Sequence, residues 1–114
     1  MADQSKIVIV NLGLSGSNVF DSDLIPDQKS LTIRKFGCAD DGASNGKAAT
    51  FRVQFGKVGA FTDVRVAAVN GTTIELEVNK KFTSDGTQFF RVTSTNTSAL
   101  STRTVAWWFE GHYK

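Results

Sequence analysis

One cysteine, one histidine and one proline occur in 114 residues, and each scarcity closes off some chemistry. A lone Cys38 cannot form an intramolecular disulfide, so the fold must stand on its core or on association. No His/Cys set has the spacing of a zinc site. A Ser-His or Cys-His couple would have to use His112, two residues from the C-terminus, where side chains are weakly held. Catalysis is therefore not expected. Long hydrophobic runs are also missing. Ile7-Val8-Ile9-Val10 is too short for a signal-peptide core, and nothing approaches the length of a membrane-spanning helix. Synthesis in the cytoplasm without a secretory route is the expectation. Neither charge sign dominates: 13 Lys/Arg stand against 11 Asp/Glu, a net +2. That balance alone does not call for a nucleic-acid partner.

What is present leans towards sheet. Nine Phe and ten Gly accompany many Val, Thr and Ser, and no segment of ten residues carries a helical period. The length suffices for one domain with one core. Residues 62–78 hold the sharpest pattern. Two alternating arms flank Asn70-Gly71, a strong hairpin signal. A two-residue loop would put apolar and charged residues on one face. A three-residue loop, Val69-Asn70-Gly71, repairs the register: Val66 faces Ile74, Val64 faces Leu76, and Arg65 opposes Glu75 outside. Gly71 then takes the left-handed position.

Further strands are expected at residues 6–12, 31–36, 50–55, 88–94 and 104–110, after a polar arm over residues 1–5. Residues 13–30 read as a long irregular connection, and loops of that length commonly contact something. Phe51, Val53 and Phe55 point inward, as do Phe90 and Val92, and Val105, Trp107 and Phe109. The pattern predicts an arm at 1–5 and a single domain over 6–114. That domain is an antiparallel β-sandwich, jelly-roll-like, of about seven to eight strands. A small closed β-barrel is the alternative.

No cofactor site is assigned. Asp21, Asp23 and Asp27 in one loop, and Asp40, Asp41 and Asn45 in another, are oxygen donors of the type calcium takes. They are equally the ordinary residues of turns. Arg34 and Lys35 on one strand, and Arg52, Arg65, Arg91 and Arg103 on others, lie near outward aromatics, as a single-strand nucleic-acid surface requires. Asp63, Glu75, Glu77 and Glu110 share those faces and weaken any positive field.

The aromatic surplus is more informative. Trp107-Trp108 and Phe89-Phe90 each force one ring onto the wrong face of a strand. Phe36 falls opposite Leu31 and Ile33. A monomeric sandwich has no use for three outward rings. Phe36, Phe89 and Trp108, with Arg65 and Glu75 on the charged ladder, are the candidate subunit or ligand contacts. An exposed Trp108 or Phe89 is alternatively the aromatic platform of a carbohydrate-binding module.

Residues 64–114 carry Asn70-Gly71-Thr72, then Phe82-Thr83-Ser84-Asp85-Gly86-Thr87-Gln88-Phe89-Phe90-Arg91-Val92, then Thr95-Asn96-Thr97-Ser98. They close on Trp107-Trp108-Phe109-Glu110-Gly111-His112-Tyr113. This stretch resembles small β-sandwich structural proteins of tailed-bacteriophage virions, of the capsid-decorating or tail accessory type. The resemblance implies a non-enzymatic homo-oligomer, often a trimer, that sits in the virion on partners such as the major capsid protein. It implies no catalytic residues. From the mixed charge and the lack of a spanning run, neither nucleic acid nor membrane is expected as a partner.

Overall fold

Alternating residues build eight strands: β1 (Gln4–Leu12), β2 (Ser17–Asp21), β3 (Ser30–Asp40), β4 (Ala49–Lys57), β5 (Ala60–Val69), β6 (Thr73–Thr83), β7 (Phe89–Asn96) and β8 (Arg103–Tyr113). The structure, a computed structural model, describes residues 4–12, 16–22, 30–41, 48–96 and 103–113. It describes side chains throughout these except at 4–8, 10–11 and 112–113. Two four-stranded sheets form, in the orders β1-β8-β3-β6 and β2-β7-β4-β5. Every pairing is antiparallel. Successive strands mostly change sheet, which is jelly-roll winding. The sandwich is open, and the barrel alternative does not apply.

The core fills the gap between the sheets. Phe51, Val53, Phe90 and Val92 from one sheet meet Ile33, Phe36, Val105 and Trp107 from the other. Aromatic rings bind the layers together: Phe36 meets Phe51 at 6.4 Å and Phe90 meets Phe109 at 5.8 Å between centroids. Fully burying a side chain of this size is worth about 1.5–3 kcal/mol. Cys38 is buried among them as a small filler, and burial pushes its thiol up to about 12.

Three expectations need correction. Residues 62–78 are not a hairpin: β5 pairs with β4, whereas β6 pairs with β3 in the other sheet. The Asn70-Gly71 segment is a corner between sheets. Gly71 does take the left-handed conformation, with φ 67°. Its N–H donates to Asp40 Oδ2 at 3.3 Å, and the Asp40 N–H donates to the Thr72 carbonyl at 3.1 Å. The hairpin among the described residues is β4–β5 instead, closed by Val58-Gly59 between Lys57 and its partner Ala60.

Phe36 is the second correction. It is 0% exposed. Against β8 the β3 register shifts between Ile33 and Lys35, where Arg34 is the extra residue, and Phe36 returns to the Ile33 side. A bulge reverses the alternation that a plain strand would keep. Val66 is the third. The β4–β5 register shifts between Val53 and Gln54, where Val64 is the extra residue, and Val66 turns outward. Boundaries also move. β1 begins at Gln4, inside the expected arm, and β2 lies within the expected irregular connection.

A buried polar knot closes one end of the sandwich. Arg103 and Asp40 have wholly buried side chains and pair at 2.7 Å. Asn70 and Asn96 accept from the same guanidinium at 3.3 and 3.4 Å. The start of β8 is thereby tied to the ends of β3 and β7 and to the inter-sheet corner.

Candidate functional site

The antiparallel ladders set residues in rows across each outer face, because opposed residues share a face. On the β2-β7-β4-β5 sheet one row reads Phe89, Gly56, Phe61. The two rings meet edge to face at 5.4 Å across the glycine strand. The next row reads Asp21, Arg91, Gln54, Asp63. Arg91 lies 4.6 Å above the Phe61 ring, a cation–π contact. It also donates to both carboxylate oxygens of Asp21, at 2.7 and 3.0 Å. That bond holds the Asp21 carboxyl below the usual range and raises Arg91 in turn. Beyond this row a shallow groove of about 410 Å³ is lined by Thr50, Arg52, Gln54, Val66, Thr93 and Thr95. Its hydroxyls, amide and guanidinium are donors and acceptors suited to a polar, neutral ligand.

The outer face of the other sheet carries a smooth apolar patch among its described residues. Ile9, Ala106 and Ala39 stand in one row; Trp108 and Gly37 stand in the next. Ile9 is 68% exposed. The indole of Trp108 folds over Gly37, where any Cβ would collide with Nε1, Cε2 and Cζ2. Glycine is needed there to let the ring lie against the sheet. Ion pairs Arg34–Glu110 and Lys35–Glu75 border the patch.

The five candidate residues thus do not converge. Phe36 belongs to the core. Phe89 and Trp108 occupy opposite outer faces. Arg65 does not oppose Glu75: its Nε donates to the Glu77 carbonyl at 3.1 Å, clasping edge strand β5 to edge strand β6. Glu75 pairs with Lys35 at 3.7 Å. Sequence reasoning missed Phe61, which precedes the β5 bulge and so reads out of phase with Val64. It also missed the row from Asp21 to Asp63, which needs the topology to assemble.

The remaining cations are also engaged. Arg52 pairs with Asp63 at 3.7 Å, Arg91 with Asp21 and Arg103 with Asp40. Each of the six cations considered for a nucleic-acid surface is thus bonded to a carboxylate or a carbonyl. Among the described residues no group of three His, Cys, Asp or Glu comes together. Of the calcium candidates, Asp21 and Asp40 hold arginines and Asp41 accepts the Thr104 N–H at 3.1 Å. Asp23, Asp27 and Asn45 lie outside the described residues, as does the His112 side chain.

No protein-family model matches the chain, and no curated protein matches its sequence. Solved structures match in fold. The Yersinia pseudotuberculosis-derived mitogen is similar with a TM-score of 0.58 at 6% identity, over 96% of this chain and 86% of that one. PirA gives 0.53 at 16% identity, over 93% and 92%. A family 29 carbohydrate-binding module gives 0.49 at 12% identity, over 94% and 67%. At such identities the likeness is one of fold.

Proposed function

We propose that this chain is a non-enzymatic structural subunit that works as a homo-oligomer, and that its setting is a phage virion. The observation that carries the assembly reading is the patch of Ile9, Ala39, Ala106, Gly37 and Trp108, apolar at its centre and ion-paired at its border. An apolar centre inside a polar rim is the anatomy of a subunit contact. Ala39 and Ala106, beside the indole that lies flat over Gly37, let another surface approach the sheet closely. The virion setting rests on the sequence resemblance over residues 64–114. Ile9→Lys puts a charge into the patch at a solvent-facing position, which leaves the core untouched. The expected result is a folded protein of smaller solution mass than the parent. Equal masses for parent and variant would overturn the reading.

A second reading has its own observation. The groove on the opposite sheet offers threonine hydroxyls, Gln54 and Arg52 beside the Phe61–Phe89 pair, a combination suited to a saccharide. Titration with neutral oligosaccharides, read by chemical shifts of Thr93 and Gln54, tests it. Binding abolished by Gln54→Ala supports a glycan ligand, and unchanged spectra at millimolar sugar reject it.

A further inference from the structure

The four sheet edges are treated differently by the sequence. β6 carries exposed Glu75, Glu77, Lys80 and Lys81. β5 has its bulge and the Arg65 clasp to β6. Charge and bulges are the devices that keep an edge from pairing with another chain. β2 is five residues long and offers little to pair with. β1 has the least of these defences. It spans nine residues, pairs with β8 alone among the described residues, and holds a single charge, Lys6. About half of its N–H and C=O groups point away from β8.

We propose that this edge pairs with β1 of a second copy of the chain, antiparallel about a two-fold axis. Two four-stranded sheets then become one sheet of eight. The inference rests on the homo-oligomer reading above and gives that oligomer its unit: a dimer, in place of the trimer that the family resemblance implies.

The register follows from length and face. A two-fold axis perpendicular to the sheet sets residue i opposite residue j with a constant sum. Centring it on Val8 pairs all of Gln4–Leu12, and any other centre leaves residues unpaired. Opposed positions then share a face, as antiparallel pairing demands. Position 9 meets position 7 on the outer face, beside Ala106 and Trp108, so the apolar patch of one copy runs into that of the other. Lys6 falls opposite Val10, which keeps the two ammonium groups apart. The strand is self-complementary in both face and charge.

Cysteine cross-linking of the full chain reads this register. Val8→Cys puts two thiols across the axis, with Cα atoms about 4.5–5.5 Å apart, inside disulfide range. Ser5→Cys puts its two thiols about 20 Å apart along the strands. Cys38 is buried and its thiol is pushed up to about 12, so it does not compete. Under copper–phenanthroline oxidation, Val8→Cys is expected to run at dimer mass on a non-reducing gel, and Ser5→Cys alone as monomer. An equal mixture of Ser5→Cys and Asn11→Cys is expected to cross-link. That mixture also decides the matter if Val8→Cys fails to fold. An oligomer in solution with neither cross-link overturns the β1 pairing and leaves the homo-oligomer reading standing. A monomer at all concentrations overturns both.

Discussion

The Arg103–Asp40 pair is the feature whose removal should be felt most. Both side chains are wholly buried and 2.7 Å apart. Asp40→Leu strands the guanidinium in the interior, with the Asn70 and Asn96 side-chain carbonyls as its partners among the described residues. It also frees the Gly71 N–H. Breaking one side of a buried pair costs about 3–5 kcal/mol. Unfolding entropy of about 2.1 cal/mol/K per residue makes each kcal/mol worth about 4 °C in a chain of this size. A loss of about 12–20 °C in Tm is therefore expected. Arg103→Met should cost a similar amount, since it buries an unpaired carboxylate. The double variant Asp40→Leu/Arg103→Met removes both charges and should recover most of the loss, because a well-packed apolar pair is close to neutral against a buried ion pair. Urea unfolding of the four proteins closes the cycle. Single-variant costs below about 1 kcal/mol, or a double variant as damaged as the sum of the singles, would refute the reasoning.

Gly37→Ala should expel the Trp108 indole from the sheet, at a cost of about 1–3 kcal/mol and with a red shift in tryptophan emission. In a Trp108→Ala background the same substitution should cost nothing, and an undiminished cost there would contradict the close approach. Asp21→Asn tests the surface ion pair through pH. The Arg91 bond holds the folded carboxyl below its ordinary value near 4. Its stabilisation is complete above that value and is lost as pH falls through the folded one. The stability gap between parent and variant should therefore be constant at neutral pH and narrow in acid; a gap that widens in acid has the wrong sign. Cys38 should resist thiol reagents at pH 8 in the native protein and react on unfolding. Rapid native labelling would contradict its burial.

Much of the fold was legible because alternation reports which face a residue takes. Phe51, Val53, Phe90, Val92, Val105 and Trp107 are core as expected. Alternation does not report which strand lies alongside. The arms around Asn70-Gly71 have the pattern of a hairpin, yet the same pattern serves two strands that face one core from opposite sheets. Bulges hid the rest. One extra residue at Arg34 sends Phe36 inward, and one at Val64 sends Val66 outward, and neither carries a glycine or proline to mark it. β2 escaped notice because Val19 and Phe20 are its only apolar residues, and Phe20 alone turns inward, onto Trp107 at 5.9 Å. The candidate surfaces were least legible. The Asp21–Arg91–Gln54–Asp63 row joins four strands, and the smooth patch around Trp108 depends on what Gly37 lacks.

The solution mass of the purified chain, by light scattering on a sizing column across a concentration series, bears most directly on the account. Assembly through β1 gives twice the chain's 12.4 kDa, or an even multiple of it. A particle of 12.4 kDa at every concentration would contradict the structural-subunit reading, and a sharp trimer would contradict the two-fold pairing.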